Sequence, residues 1–160
     1  MIANHTKLLI VSLIALAVFT VPVANVHARP SRLGDPNVTA VHIGGTGGGD
    51  GDVIFQINNV NDTNGVVKLV VTELDNNKNQ IRSIQATPVN WVNLGLVFKN
   101  GKAIQTTWQT CVSGSGCAPV TSGTSLNGFD VKMVGQAPYG WSWTVTDTAG
   151  TAFSGVLSVS

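Results

Sequence analysis

The stretch WVNLGLVFKNGKAIQTTW, residues 91–108, carries the strongest structural signal in the chain. Two runs of apolar and β-branched residues flank a polar Lys-Asn-Gly-Lys tetrapeptide. Its central pair, Asn100 and Gly101, can take the positive φ angles of a type I′ turn, which joins antiparallel strands tightly. This stretch therefore predicts a β-hairpin.

The same two-residue alternation recurs on both sides of this hairpin, and no window shows a convincing helical stripe. Short strands separated by turn residues predict an all-β fold, a single antiparallel β-sandwich. The turn-rich segments 75–79 and 147–150 are expected to close two further hairpins. The predicted strands are 53–57, 66–74, 81–86, 91–98, 103–108, 129–134, 141–146 and 152–159.

The first residues of the chain have the features of a secretory signal peptide, residues 1–28. Lys7 supplies a positive start, an uncharged and mostly apolar run follows at 8–21, and Val26-His-Ala28 fits a cleavage site. The run is shorter than the ~20 residues that cross a bilayer, so we expect cleavage before Arg29 rather than anchoring. The protein is then secreted, to the extracellular space or to a bacterial periplasm, with no membrane association.

Residues 29–52 are rich in glycine and proline, and residues 44–52 read GGTGGGDGD. Glycine runs rarely offset the entropy lost on ordering, so we expect a flexible leader here. The folded domain is then expected over residues 53–160. Asp50 and Asp52 in the leader could contribute to a calcium site, but calcium needs six or more oxygen ligands, and a solubilising role is the simpler interpretation.

The charge balance bears on the class of partner. Of nine Lys and Arg residues only Lys7 lies in the signal segment, so the others balance the eight Asp and Glu residues. A neutral chain without a basic cluster argues against nucleic acid and anionic membranes. A neutral ligand fits this chain better.

Two cysteines, Cys111 and Cys117, lie in the Ser- and Gly-rich stretch 109–127. In an exported chain we expect them to form a disulfide. A metal or redox pair is the alternative, but the spacing is not CxxC and no histidine lies near. The stretch is too long for a simple hairpin loop, and loops of this length often carry function.

The titratable residues point away from catalysis. After signal cleavage one histidine remains, His42, and the only glutamate is Glu73. Glu73 falls in a strand pattern, where a solvated carboxylate is the expected state. A glycosidase needs two positioned carboxylates, and general acid-base groups are scarce here. We therefore predict no catalytic residue, no metal and no cofactor.

The aromatic residues are the candidate ligand-binding groups. Tyr139, Trp141 and Trp143 alternate along one predicted strand and share a face. They form either the core or a platform on which sugar rings stack, and burial is the more frequent fate of tryptophan. Trp91 directly follows the segment Pro88-Val89-Asn90, which is polar in character and favours exposure of the ring. The predicted stacking residues are Trp91, Trp108 and Tyr139.

The order of segments resembles the carboxyl-terminal β-sandwich of expansins, which is also that of the grass-pollen group 2/3 allergens. The resemblance rests on residues 53–57, 66–71, 90–94, 138–139 and 143–150, within about 107 residues of the chain. It implies an Ig-like sandwich that binds cell-wall polysaccharide, with Trp91 as a platform ring and Trp143 and Val145 in the core. The insert 109–127 departs from the pattern, and no expansin amino-terminal barrel is present in the sequence, so wall loosening is not implied.

The sequence thus predicts a secreted, non-catalytic module that binds an extracellular polysaccharide through exposed aromatics. The alternative is a secreted Ig-like structural or adhesive module that recognises another protein, or itself, through sheet edges or the 109–127 loop. Strong alternation and low charge make edge pairing favourable.

Overall fold

The structure, a computed structural model, describes residues 28–44, 50–75, 78–111 and 116–160. These residues form β-strands joined by turns and loops, without helices. Of the predicted signal segment 1–28, residues 1–27 lie outside the described residues, as does most of the glycine run. The strands are β1 (Arg29–Pro30), β2 (Asn37–Gly44), β3 (Asp50–Asn59), β4 (Val66–Glu73), β5 (Gln80–Ala86), β6 (Val92–Lys99), β7 (Lys102–Gln109), β8 (Thr124–Val134), β9 (Tyr139–Asp147) and β10 (Ala152–Val159).

The strands form two sheets that pack face to face. The larger sheet has six strands in the order β1-β10-β9-β4-β7-β6, and the smaller has four in the order β2-β3-β8-β5. All pairings are antiparallel except that of the short β1 with β10. The prediction of an all-β antiparallel sandwich is confirmed, and each predicted strand coincides with one of β3 to β10.

The hairpin predicted from residues 91–108 is confirmed. Asn100 and Gly101 have φ angles of 51° and 76°, and Lys99 pairs with Lys102 across the turn. The turn after Asp147 also joins a hairpin, that of β9 and β10. The segment 75–79 does not, because β4 lies in the six-stranded sheet and β5 in the four-stranded sheet. That prediction was wrong, since a turn-rich segment does not show whether the next strand returns beside the last or crosses to the other sheet.

The prediction of a flexible leader over 29–52 is corrected by β2, which pairs along its whole length with β3. Val38 is buried against the core, and Ala40 packs beside it. Upstream, Arg29 forms a two-pronged ion pair with Asp35, with N–O distances of 2.8 and 2.9 Å. The sandwich therefore includes residues that composition alone assigned to a linker, because alternating residues on β2 gain burial that outweighs the nearby glycines and prolines.

The core lies between the sheets and alternates along each strand. On β3 and β9 every second residue is buried, and the residues between them face outward. The largest buried side chains are aromatic, and their rings meet edge to face, as Phe55 and Trp141 do at 4.9 Å between centroids. Such pairs stabilise a fold beyond the area they bury. Within the described part of the chain, no helix is long and apolar enough to cross a membrane.

Candidate functional site

The three predicted stacking residues are buried. Trp91 is 5% exposed, Trp108 0% and Tyr139 1%. A ring must present a face to solvent in order to stack on a sugar, so these residues cannot form the predicted platform. The assignment of Trp91, Trp108 and Tyr139 as ligand-binding residues was therefore wrong for this conformation.

The contacts of these rings explain their burial. Phe129 lies between Trp91 and Trp108, at 5.0 and 5.5 Å between centroids. Trp108 also donates its indole N–H to the Thr87 hydroxyl at 3.2 Å. These rings fill the β6–β7 end of the core, where β5 packs opposite β7. Alternation places a tryptophan on a face, but the packing of the second sheet decides whether that face is covered.

The open question over Trp141 and Trp143 is answered by the same packing. Both are buried, as is Val145 on the same face of β9. The indole of Trp143 lies against Gly155 of β10, where any Cβ would overlap the ring. Trp141 and Trp143 therefore belong to the core, which was the first of the two alternatives.

Glu73 is buried rather than solvated, which corrects the sequence interpretation. It is 2% exposed at the end of β4, opposite Trp141 on β9. Its Oε1 accepts a hydrogen bond from the Asp75 N–H at 3.2 Å, while Oε2 has no partner among the described residues. Burial raises the pKa of Glu73 to about 7, against the hydrogen bond from the Asp75 N–H, which lowers it. This carboxyl is a titratable core group.

A second ring system lies at the same end of the sandwich. Tyr139 donates its hydroxyl to the Gly135 carbonyl at 3.1 Å, and the edge of His42 meets its ring at 5.1 Å between centroids. Burial raises the pKa of Tyr139, and Glu73 and Asp50 add to the effect. Tyr139 belongs to the core, and His42 is half-buried beside it. The described residues contain no set of three or more His, Cys, Asp or Glu side chains that could hold a metal ion.

Cys111 and Cys117 form the predicted disulfide, with their Cα atoms 4.7 Å apart. Near the bridge, the Thr110 hydroxyl accepts a hydrogen bond from the Ala118 N–H at 2.9 Å and donates to the Asn90 carbonyl at 2.8 Å. The disulfide and Thr110 together tie both ends of this segment to the sandwich next to the start of β6.

The most unusual surface is β6 itself, which forms one edge of the six-stranded sheet. At this side of the sandwich the sheets pack through β5 and β7, so β6 extends past the smaller sheet. Its side chains are exposed on both faces, as the burial pattern along the strand shows. Leu94 is 57% exposed, Val97 50% and Phe98 64%, and Val92 is also exposed. We call β6 with these side chains the overhanging strand.

A bulge divides the overhanging strand. The register with β7 shifts between Asn93 and Leu96, and Gly95 has a φ angle of 97°. The Asn93 carboxamide accepts the Gly95 N–H at 2.8 Å, and the Thr106 hydroxyl donates to the Gly95 carbonyl at 2.9 Å. The bulge is therefore satisfied internally. The following run, Leu96–Lys99, continues the edge to the hairpin turn, with a second register shift between Val97 and Phe98, where Ile104 of β7 has no partner on β6.

A different, polar surface covers the outer face of the four-stranded sheet. Asn58 accepts hydrogen bonds from Gln56 and from the Ser125 hydroxyl, and donates to Asn37 and Thr39. We call Asn58 and these four partners the amide ladder. Beside it is a depression of about 70 Å³ whose lining includes Val41 and Ile54. The ladder consists of uncharged hydrogen-bonding groups with a small apolar area next to them.

The sequence analysis named sheet edges in general but identified neither β6 nor the amide ladder, although a signal for the overhanging strand was present. From Ser83 to Phe98 the chain has no charged side chain, and five apolar residues fall within 92–98. Edge strands commonly carry charged residues or proline, which oppose the addition of another strand. An uncharged apolar strand therefore indicates a binding surface once its position at the edge is known. Edge position depends on strand order, which the sequence does not display.

No family model matches the chain, and a search of curated proteins gives no significant match. Among solved structures, a Nocardia farcinica protein with an immunoglobulin-like fold matches with a TM-score of 0.52 and 22% identity, over 76% of this chain and 81% of that chain. A cohesin from a Clostridium thermocellum cohesin–dockerin complex matches with a TM-score of 0.48 and 14% identity, over 79% of this chain and 99% of that chain. A type I cohesin of Pseudobacteroides cellulosolvens gives 0.43 and 13%, over 77% and 92%.

The first of these matches shows that the fold is an Ig-like β-sandwich, as predicted. At this level of identity the likeness concerns the fold alone. The finer resemblance to the expansin carboxyl-terminal domain stays a prediction.

Proposed function

We propose that this chain is an exported, non-catalytic Ig-like module that binds a protein partner through the overhanging strand β6. The observation that carries the proposal is the exposure of Leu94, Val97 and Phe98 on an edge strand that extends past the smaller sheet. Export is inferred from the signal-like segment 1–28 and fits the disulfide.

The physical argument starts from the backbone of the strand. An edge strand offers unpaired N–H and C=O groups, and an extended segment of a partner can add to it as a further strand. On most edges, charges oppose this addition. Here Lys99 is the only charged residue of β6, and it lies at the hairpin end.

The side chains supply the second part of the argument. Because β6 extends past the smaller sheet, a partner strand gains apolar contacts on both faces as well as backbone hydrogen bonds. Burial stabilises by roughly 25 cal/mol per Å² of apolar surface, before the cost of association is subtracted. Exposed apolar side chains grouped on one element are typical of interaction sites.

A selection from a random decapeptide display library would test this function. The protein 29–160 is expected to enrich peptides with alternating apolar residues, and Phe98→Lys is expected to weaken their binding at least tenfold. Val156→Lys is the matched control, because Val156 is also exposed, 74%, but lies on β10 at the other side of the sheet. Equal binding by wild type and Phe98→Lys would contradict the proposal.

A second candidate function is binding of a neutral polysaccharide, now at the amide ladder rather than at the aromatics. The observation that favours it is the row of uncharged amide and hydroxyl groups around Asn58, next to the depression whose lining includes Val41 and Ile54. Convergent polar groups around a small apolar area suit sugars, which present hydroxyls and C–H faces.

Pull-down on insoluble cellulose, chitin and xylan tests this candidate. If the ladder binds, Asn58→Ala is expected to abolish retention while Phe98→Lys leaves it unchanged. No retention of the wild-type protein on the three polymers would remove the candidate and leave the protein-binding proposal unaffected.

A further inference from the structure

We propose that the partner of the overhanging strand is a second copy of this chain, paired antiparallel through β6 about a two-fold axis at Val97. The inference rests on the proposed function, since it names the partner of that same surface. Its basis is the arrangement of side chains and charges along residues 95–99.

The usable length of the edge is fixed by the bulge. The Gly95 N–H and C=O are both hydrogen-bonded to side chains of the same sheet, at 2.8 and 2.9 Å. Asn100 and Gly101 turn the chain away with positive φ angles. An added strand is therefore expected to pair with the short run between these points, Leu96–Lys99.

Symmetry limits the possible registers. Directly opposite residues of an antiparallel pair point to the same face, so a two-fold pairing of β6 with itself places one residue on the axis, opposite its own copy. An axis at Leu96 sets Phe98 and Lys99 opposite Leu94 and Asn93, inside the bulge at 93–95. An axis at Lys99 sets two like charges opposite each other, which is destabilising.

The axis at Val97 pairs the residues 96–98 with one another and matches their side chains. Val97 then faces Val97 of the second copy on the outer face, where its neighbour on β7 is Gln105. On the other face Leu96 lies opposite Phe98 of the second copy. Both of these residues pair on β7 with core residues, Thr106 and Ala103, so the new contacts extend the core of each copy.

The same register also places the charge favourably. Lys99 lies opposite Gly95 of the second copy, which has no side chain and open space beyond its Cα. Residues 29–160 carry equal numbers of positive and negative charges, so no long-range repulsion opposes the approach of two copies. A partner of different sequence would not require the side chains of β6 to be complementary to those of a second β6.

Introducing a charge at the axis residue, Val97, tests the proposal on the protein 29–160. Analytical ultracentrifugation of the wild type is expected to show a concentration-dependent dimer. Val97→Lys and Val97→Glu are each expected to weaken dimerisation at least tenfold, because each sets like charges opposite each other. An equimolar mixture of the two variants is expected to restore the dimer, since only an axis residue meets its own position in the partner.

Val156→Lys is the matched control and is expected to dimerise as the wild type does. A cross-link supplies a readout that does not depend on charge: Val97→Cys is expected to form a disulfide-linked dimer under mild oxidation, and Val156→Cys is not. Circular dichroism and melting curves check that each variant is folded.

A wild-type protein that stays monomeric up to several hundred micromolar would overturn the inference, as would single variants whose loss of dimer is not rescued by mixing. Peptide selection that depends on Phe98, combined with a monomeric protein, would overturn the homotypic pairing and leave the proposed function standing. A protein that neither self-associates nor selects peptides would overturn both the homotypic pairing and the proposed function.

Discussion

At the scale of single residues, Phe129 and the two tryptophans on either side of it show how one cluster fixes one end of the core. The three rings meet edge to face and are buried. We expect Trp91→Ala to destabilise the protein by about 3–5 kcal/mol, the usual cost of removing a buried aromatic side chain. Urea denaturation followed by far-UV circular dichroism measures this loss.

Trp91→Phe is the control for this substitution, since it keeps an aromatic ring against Phe129 and should cost much less. A Trp91→Ala variant as stable as the wild type would mean that the indole is not packed as described. Any loss of ligand binding in Trp91→Ala should follow the loss of folded protein, because the ring does not reach solvent.

Glu73 gives the protein an expected pH dependence of stability. Its pKa is raised to about 7 in the folded state, from 4.5, and burial is the main cause. Between these values the unfolded chain releases the proton while the folded chain keeps it. Stability therefore falls as the pH rises from about 4.5 to 7, by on the order of 3 kcal/mol, and the loss is complete above pH 7.

Urea denaturation at pH 5 and pH 8 tests this dependence, with Glu73→Gln beside the wild type. The amide oxygen of the variant can still accept the Asp75 N–H but does not ionise, so its stability should change much less between the two pH values. The half-buried Asp62 and Asp130 carboxyls, whose pKa values are also raised by partial burial, contribute in the same direction in both proteins. Equal pH slopes for the two proteins would contradict the assignment.

At the scale of elements, the β6–β7 hairpin depends on its turn. Gly101 has a φ angle of 76°, a region that costs an L-residue roughly 1–2 kcal/mol. We expect Gly101→Ala to lower the free energy of unfolding by about 1 kcal/mol. Thermal melts should show the loss, whereas Gly116→Ala, in open space and without a positive φ, should change little.

The disulfide acts on one segment rather than on the whole sandwich. Its two cysteines are 6 positions apart, and closing so short a loop stabilises by about 2 kcal/mol in the chain-entropy model. The double variant Cys111→Ser, Cys117→Ser should therefore melt at a lower temperature but still fold. An unfolded double variant would show that the bridge fixes more of the structure than its own loop.

At the scale of the whole molecule, the smaller sheet is complete only with β2. This strand covers the edge of β3 and contributes Val38 to the core. A chain that begins at Asp50, the first residue of β3, should be far less stable than one that begins at Arg29, and should bind dyes that report exposed apolar surface. Equal melting temperatures for the two chains would mean that β2 is dispensable.

The sequence was most informative where the determinants are local. Alternation located β3 to β10 because most inward-facing residues are apolar and most of their neighbours are polar or small. Asn100 and Gly101 specified their turn because few other pairs tolerate its φ angles. The β2 strand was missed because its short apolar run lies between prolines and glycines, and its burial depends on β3, a partner outside the segment.

The sequence by itself determined the period of the strands, the tight hairpin and the close cysteine pair, because each depends on residues near one another in the chain. Only the tertiary structure decided which faces are covered and which edge is left open. Trp91, Trp108 and Tyr139 became core residues because the second sheet lies over them. Val97 and Phe98 on β6 became surface residues because the second sheet ends at β5, opposite β7.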